Sequence, residues 1–285
     1  MAKRFYICSR QAFYSRTHHL WGKNMGRLDR KVALVTGAAH PRGLGRSICL
    51  QLAADGASVA VSDKMPGADA VAGEIRAAGG VAKSLELDVT DPVAVDVAVS
   101  EVLQSWDQLD ILVNNAGVIK QREVVDLTPE EWDFHFDVMA KGTYLCSRAA
   151  ARSMISRGQG GRIVNIASVN AKRPFAYEVA YAAAKAAVMV FSQGLALELG
   201  KHNITVNAIC PGAMDTDMLA RSLADVARES GRKEQEVWHE VTRAIPLRRL
   251  GTPEDIARVC AFLCSEEAGY ITGAAIDVTG GWMIP

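Results

Sequence analysis

The feature of this sequence that most constrains its fold is a regular alternation of short β-branched runs with stretches of helical spacing. The runs are nearly continuously apolar, as expected for parallel strands that are covered on both faces. The pattern predicts an α/β fold with one doubly wound parallel sheet of about seven strands. The predicted strands are Lys31–Thr36, Ser58–Ser62, Val81–Leu87, Ile111–Asn114, Arg162–Ala167, Ile204–Ile209 and Ala275–Val278.

The chain length, 285 residues, allows one large α/β domain or two smaller ones. No segment rich in Pro, Gly or Ser separates the predicted elements, so we expect a single domain over residues 27–285. Residues 213–250 are its least regular part. In a doubly wound sheet, the segment after a late strand lies over the carboxyl ends of the strands, where ligands bind. We therefore expect residues 213–250 to cover the substrate.

The N-terminal segment differs from the rest, because residues 1–28 hold six basic side chains and no acidic one. It is a disordered basic arm, a mitochondrial transit peptide, or an upstream extension with Met25 as the working start. We favour the third interpretation, so residues 1–26 are expected to lie outside the fold. We expect a cytoplasmic protein, with a mitochondrial location as the alternative because the N-terminal segment is basic.

Charge and hydropathy exclude several classes of function. Basic and acidic side chains number 32 each, so residues 29–285 hold 26 basic against 32 acidic. A mildly acidic body argues against nucleic-acid binding. The longest stretch without Asp, Glu, Lys or Arg is His202–Met214, whereas a membrane span needs roughly 20 apolar residues. The cysteines and histidines lack the spacing of a zinc site, so we predict no metal.

A glycine-rich turn joins the first predicted strand to the first predicted helix. Glycines in such a turn let the backbone approach a dinucleotide pyrophosphate, which the N-terminus of the helix stabilises. An ordinary βα turn is the alternative. The residues predicted to contact the cofactor here are Gly37, Arg42, Gly43, Leu44 and Gly45.

An acidic residue, Asp63, ends the second predicted strand 26 residues after Gly37. A carboxylate at this place accepts hydrogen bonds from the adenosine ribose hydroxyls and repels a 2′-phosphate. The basic neighbours Arg42 and Lys64 argue in the opposite direction. We predict NAD as the cofactor, with NADP less favoured.

Tyr181 and Lys185 are four residues apart in an apolar helical stretch, so they share one helix face. A free phenol titrates near pH ~10, and a nearby ammonium group is expected to lower the pKa of the phenol toward the working range. Ser168 ends a predicted strand thirteen residues before the tyrosine, and its hydroxyl is placed to hold a carbonyl or alcohol oxygen. A surface pair and a turn-capping serine are the alternatives.

Together these motifs resemble the short-chain dehydrogenase/reductase family over about Arg27–Pro285. The resemblance implies a Rossmann-type fold, a nicotinamide cofactor and a homotetramer built on two long helices, here about Trp132–Ser156 and Ala180–Leu199. The matching pieces are the glycine turn, Asp88 after the third strand, Asn114–Gly117 after the fourth, Ser168, Tyr181 with Lys185, and Pro211-Gly212 followed by Thr216.

The resemblance also implies a role for each site residue. Tyr181 is the expected general acid and base, Ser168 the group that positions the substrate oxygen, and Lys185 the ligand of the nicotinamide ribose. The other implied cofactor contacts are Asp88 and Val89 at the adenine, Asn115 along the adenosine ribose, and Met214 and Thr216 at the nicotinamide carboxamide.

The sequence departs from the family pattern in two places. Five residues separate Gly37 from Gly43 where the family has three, and the extra pair is expected to bulge outward around His40 and Pro41. Met139 stands where the family often has a fourth catalytic residue, an asparagine.

These observations predict an NAD-dependent oxidoreductase that transfers hydride between nicotinamide and a secondary alcohol or ketone. The C-terminal tail and residues 213–250 resemble family members that act on polyols and sugars. An NADPH-dependent 3-oxoacyl-[acyl-carrier-protein] reductase is one alternative, which Asp63 disfavours. A catalytically weak nucleotide-binding or regulatory protein is another, motivated by Met139.

Overall fold

A computed structural model describes residues 26–282 and contains one sheet of seven strands. The strands are β1 (Val32–Val35), β2 (Ser58–Asp63), β3 (Ala82–Glu86), β4 (Ile111–Asn114), β5 (Gly161–Ile166), β6 (Ile204–Pro211) and β7 (Ala275–Val278). Their spatial order is β3-β2-β1-β4-β5-β6-β7, and all neighbouring pairs are parallel. The predicted fold is confirmed, and the predicted strand ends agree with these to within two residues.

Helices cover both faces of the sheet. They are α1 (Leu44–Ala54), α2 (Ala68–Ala77), α3 (Pro92–Trp106), α4 (Pro129–His135), α5 (Gly142–Arg157), α6 (Val179–Leu199), α7 (Asp217–Ser230), α8 (Glu234–Ala244) and α9 (Pro253–Cys264). One core lies between the sheet and α1, α2 and α9, and a second lies between the sheet and α3, α5 and α6.

The central strand shows why the predicted strands are apolar throughout. Ala33 and Val35 of β1 point into the first core, whereas Val32 and Leu34 point into the second. All four side chains are buried, so neither face of the strand tolerates a polar side chain. Alternation of polar and apolar residues is therefore absent, as two-sided burial requires.

The strand order reverses between β1 and β4. From β1 to β3 the chain adds strands toward one edge of the sheet, and from β4 to β7 it adds them toward the other edge. Ligands of doubly wound sheets bind in the crevice at this point, outside the carboxyl ends of the strands. The glycine turn follows β1 and Asn115 follows β4, so the fold brings both predicted cofactor segments to one crevice.

The first of the two long predicted helices is interrupted. It begins at Pro129, where the Thr128 hydroxyl accepts a hydrogen bond from the Glu131 backbone N–H, and it continues to Arg157. Between α4 and α5 the segment Phe136–Lys141 is a π-helix. Such wide turns recur at functional sites, and this one carries Met139.

The second long helix, α6, has a length and apolar composition that by themselves would also suit a membrane span. In this fold α6 packs along β6, and its inner side buries Lys185 and Val188. Its place in the core explains part of this composition, whereas Val190 and Leu197 on its outer side are exposed.

Residues 213–250 are more regular than predicted. They form α7 and α8, which pack on each other through Leu223, Ala227 and Val237. The polar residues between these positions obscured the helical spacing in the sequence, because the pair buries only one narrow stripe. Backbone pairing of Met214 with Gly251 joins the two ends of the segment.

The described chain begins one residue before the predicted domain boundary. Gly26 packs against Asp55 so closely that a Cβ atom there would lie 2.2 Å from the Asp55 carbonyl oxygen. Arg27 forms an ion pair with the Asp55 carboxylate at 2.8 Å, and the Leu28 side chain is fully buried. Residues 26–28 therefore belong to the domain.

We predict that a chain starting at Met25 keeps the thermal stability of the full chain, because it retains these contacts. A chain starting at Lys31 lacks the Leu28 side chain, and loss of a buried leucine side chain costs about 2–5 kcal/mol. Thermal unfolding followed by circular dichroism should give a clearly lower Tm for the second chain only. Insolubility of the chain that starts at Met25 would show that the boundary lies further upstream.

Candidate active site

The glycine turn after β1 is shaped by close backbone contacts. Gly37 has a φ of +66°, and a Cβ atom there would lie 2.6 Å from the Ala116 Cα. A Cβ atom at Gly45 would lie 2.5 Å from the Gly37 carbonyl oxygen. Both positions therefore require glycine. The turn ends at Leu44, where the first turn of α1 leaves backbone N–H groups without helical partners, an arrangement suited to a pyrophosphate.

Asn115 has a role that the sequence did not predict. Its side-chain amide donates to the carbonyl oxygens of Thr36 and Gly37, at 3.0 Å and 2.7 Å. The Thr36 hydroxyl in turn accepts from the backbone N–H groups of Asn115 and Ala116. The Asn115 amide N–H groups thus hold the loops after β1 and β4 together, and the expected place of Asn115 along the adenosine ribose stays a prediction.

The two-residue extension of the glycine turn bulges outward as expected, with His40, Pro41 and Arg42 exposed. The Arg42 guanidinium forms ion pairs with Asp215 at 2.9 Å and with Asp217 at 3.1 Å. These ion pairs link the glycine turn to the start of α7. They compete with the predicted contact between Arg42 and the cofactor. Gly43 stays at the turn, where its N–H donates to the His40 carbonyl oxygen.

Asp63 ends β2 beside the glycine turn. Its Oδ2 accepts from the Ala39 N–H and its Oδ1 from the Met65 N–H, both at 2.9 Å. An ionised carboxyl group has about four acceptor sites, so the two oxygens keep capacity for ribose hydroxyls. The structure thus brings Asp63 to the predicted adenosine end of the crevice.

Asp88 and Val89 follow β3 at the same end. Asp88 pairs with the Lys64 ammonium at 2.6 Å and accepts hydrogen bonds from Thr90. Burial raises the pKa of the Asp88 carboxyl, but the Lys64 and Thr90 hydrogen bonds outweigh burial and hold that pKa below its ordinary value. Val89 is buried against Gly142 at the start of α5. Lys64 is therefore engaged with Asp88.

The predicted catalytic residues converge at the carboxyl ends of β5 and β6. Ser168 lies two residues beyond the end of β5, and Tyr181 and Lys185 lie on the first two turns of α6. The Lys185 ammonium is 5.8 Å from the centre of the Tyr181 ring and donates to the Ile166 carbonyl oxygen at 2.6 Å. Ser168 and Lys185 are buried and Tyr181 is partly buried.

Burial governs the protonation of this pair. It raises the pKa of the Tyr181 phenol to about 12, an effect that the Ser168 side chain opposes and the negative charge of Glu178 reinforces. Burial also lowers the pKa of Lys185 to about 8. The expectation that the lysine would bring the pKa of the phenol toward the working range is therefore wrong, because desolvation of the phenolate outweighs attraction to the ammonium group.

Met139 lies inside the site. Its side chain is fully buried in a small core with Ala167, Ala184 and Val188. A Cβ atom added at Gly117 would lie 3.8 Å from the Met139 Sδ and 3.5 Å from the Lys185 Nζ. Met139 therefore supplies apolar surface near the lysine, where an asparagine would supply an amide.

Met214 and Thr216 follow β6 at the expected nicotinamide end. The Thr216 hydroxyl accepts from the Leu219 N–H and so caps α7, and Met214 is buried beside Gly251. The start of α7 is thereby fixed next to the crevice.

A group of polar residues near the tyrosine was not predicted from the sequence. Glu178 accepts hydrogen bonds from Gln121 at 2.8 Å, from Asn170 and from Ser222 at 3.5 Å. The sequence did hold a signal for this group: an acidic residue three positions before Tyr181, at the N-terminal end of a mostly apolar helical stretch.

Comparison with known proteins agrees with this geometry. Residues 37–283 match the family model described as enoyl-(acyl carrier protein) reductase. The chain is 39% identical to sorbitol dehydrogenase from Cereibacter sphaeroides and 38% identical to galactitol 2-dehydrogenase from Agrobacterium fabrum, covering 90% of this chain and 99% of each relative. A solved short-chain type dehydrogenase/reductase from Mycobacterium marinum superposes with a TM-score of 0.82 at 33% identity, covering 92% of this chain and 98% of that one.

The residues of the crevice and the extent of these similarities agree on an NAD(P)-dependent oxidoreductase. The glycine turn, the free N-terminus of α1 and the polar groups at both ends of the crevice fit a nicotinamide dinucleotide. The chain belongs to the short-chain dehydrogenase/reductase family.

Proposed function

We propose that this protein is an NAD-dependent dehydrogenase of polyols or sugars. The observation that carries the proposal is the convergence of Ser168, Tyr181 and Lys185 beside the crevice at the carboxyl edge of the sheet. When bound, the nicotinamide supplies the hydride acceptor or donor. The chain itself binds the cofactor, orients the substrate and moves one proton.

The proton moves at the Tyr181 hydroxyl oxygen. The phenolate accepts the hydroxyl proton of an alcohol, and the neutral phenol returns it to a carbonyl oxygen in the reverse direction. The Ser168 hydroxyl holds the same substrate oxygen. A hydrogen bond to the Ile166 carbonyl oxygen keeps the Lys185 side chain close to the Tyr181 ring. In its protonated form, Lys185 favours the phenolate form of the tyrosine.

The two polyol dehydrogenases among the relatives support a polyhydroxylated substrate. Their similarity spans residues on both sides of the site, including the segment that forms α7 and α8. The direct test is NADH formation by the purified protein across sorbitol, galactitol, other polyols, sugars and hydroxy acids. Turnover confined to acyl thioesters with NADPH would favour the 3-oxoacyl reductase alternative.

We also propose that the protein assembles as a homotetramer in the cytoplasm. The helices α4 to α6 expose large apolar side chains, among them Trp132, Tyr144, Val190 and Leu197. Exposed apolar surface along two neighbouring helices is typical of an interface. Analytical ultracentrifugation gives the oligomeric state directly.

Tyr181→Phe tests the proton transfer. The change removes one oxygen and keeps the ring, so packing and cofactor binding should survive. General acid–base catalysis by a placed side chain is worth ~10²–10⁴-fold, and kcat should fall by at least that factor. Steady-state kinetics on the best polyol and NADH titration by fluorescence give both quantities. The comparison variant, Lys185→Met, should impair turnover and cofactor affinity together. Near-normal turnover in Tyr181→Phe would refute the catalytic assignment.

The pH dependence of oxidation follows from the raised pKa of Tyr181. With a pKa of about 12 in the free protein, the phenolate fraction increases steadily with pH across the neutral range. The kcat/KM for alcohol oxidation should therefore rise from pH 6 to pH 9, because this parameter reports the free enzyme. Ketone reduction needs the neutral phenol and should show no such rise. An oxidation profile that is flat over this range contradicts the assignment of Tyr181 as the base.

Asp63→Ala tests the preference for NAD. Removing the carboxylate removes hydrogen bonds to the ribose hydroxyls and like-charge repulsion of a 2′-phosphate. The ratio of kcat/KM with NAD to that with NADP should fall without inverting, because Arg42 and Lys64 are already paired with carboxylates. An unchanged ratio would show that another group selects the cofactor.

A further inference from the structure

A buried carboxylate lies about one turn before the catalytic tyrosine, at the start of the same helix. Glu178 immediately precedes α6, three residues before Tyr181, and is only 9% exposed. The preceding residue, Tyr177, has a φ of +67°, a conformation that a non-glycine residue adopts only where the surroundings impose it. The backbone is held in this shape by a hydrogen bond from the Arg122 N–H to the Tyr177 carbonyl oxygen at 2.8 Å. The backbone that leads into Glu178 is thus held in place by the loop after β4.

The partners of this carboxylate are all neutral. Gln121 comes from the loop after β4, Asn170 from the turn after β5 and Ser222 from α7. Within residues 26–282, no lysine, arginine or histidine side chain forms an ion pair with Glu178. Hydrogen bonds from neutral groups are therefore its only polar partners among the described residues, and a carboxylate in such a place repels a second anion.

The same cluster contains unused acceptor capacity. One oxygen of Glu178 accepts a single hydrogen bond, from the Asn170 amide. Asn170 is only 5% exposed, and its side-chain oxygen Oδ1 is buried without a hydrogen-bond partner. The Asn170 backbone N–H donates to the Ser168 hydroxyl at 3.2 Å, which ties the amide to the catalytic serine. Leaving a buried acceptor unpaired is unfavourable, so this cluster is suited to a ligand that brings hydroxyl donors.

We propose that Glu178 and Asn170 form a subsite for a hydroxyl group on the carbon next to the reacting carbinol. We further infer that the uncompensated charge of Glu178 makes the enzyme select neutral polyols over otherwise similar substrates that carry a carboxylate. Both statements rest on the proposed function, since they concern the substrate of the same tyrosine. The charge acts on the substrate directly, so Glu178 is a specificity-determining residue.

Glu178→Gln is the first test, because it removes the charge and keeps the size of the side chain. We measure kcat/KM of wild type and variant for galactitol and sorbitol and for the corresponding aldonates. The preference of the wild type for the polyol should narrow by roughly tenfold or more in the variant, since a like charge is removed from a buried site. The matched control is Glu123→Gln, an exposed glutamate on the loop that carries Gln121, which should leave the ratio unchanged.

Asn170→Ala is the second test and does not depend on the behaviour of the first variant. Butane-2,3-diol and butan-2-ol differ by the neighbouring hydroxyl group alone. The variant should lose most of the wild-type preference for the diol, measured as the ratio of kcat/KM for butane-2,3-diol to kcat/KM for butan-2-ol. NADH titration and Tm identify any general loss of structure in either variant.

The outcomes separate the two proposals. If the wild type oxidises no polyol or diol, the proposed function is overturned. If the wild type oxidises polyols but Glu178→Gln leaves the polyol-to-aldonate ratio unchanged and Asn170→Ala leaves the diol preference unchanged, the subsite is overturned and the proposed function stands.

Discussion

The contact between the loops that follow β1 and β4 is the constraint on which the rest of the site depends. These strands lie side by side where the order of the sheet reverses, and their loops must approach closely without closing the crevice. The Thr36 hydroxyl and the Asn115 amide join the two loops through four hydrogen bonds. Gly37 passes so close to Ala116 that no side chain fits between them. The geometry of the cofactor crevice is therefore set by these side-chain hydrogen bonds together with the close approach of the two backbones.

A second constraint is desolvation at the catalytic pair. Burial favours the neutral forms of Tyr181 and Lys185, and so it shifts their pKa values in opposite directions. Proximity alone would favour the charged pair, but the lysine is directed to the Ile166 carbonyl oxygen and lies over the ring. Burial thus keeps the Tyr181 phenol neutral over the physiological pH range, whereas Lys185, with a pKa of about 8, remains mostly protonated at neutral pH. Met139 adds to this apolar setting, since its thioether replaces an amide near the lysine.

The segment after β6 is linked to the crevice by side chains from both ends of the site. Arg42 of the extended glycine turn pairs with Asp215 and Asp217, and Ser222 of α7 hydrogen-bonds to Glu178. The exposed ion pairs are weak individually, since solvent screens them. Their positions nevertheless couple the start of α7 to the pyrophosphate end of the crevice, and Ser222 couples the same helix to the substrate end.

The sequence by itself determined the sheet, its seven strands and the residues that meet at its carboxyl edge. It did so because two-sided burial makes the parallel strands apolar throughout, and because the spacing of Tyr181 and Lys185 defines one helix face. Only the tertiary structure decided how the polar groups are shared. The amide of Asn115 holds two loops, Arg42 binds carboxylates, and Glu178 gathers donors from three separate elements.

These pairings join residues that are far apart in the sequence; Arg42 and Asp215, for example, are 173 positions apart. Local periodicity carries no information about such distances, because a hydrogen bond depends on where the folded chain places its donor and acceptor. The same holds for the shifted pKa values of the catalytic pair: the residue types were readable from the sequence, whereas the extent of their desolvation exists only once the helices have packed on the sheet.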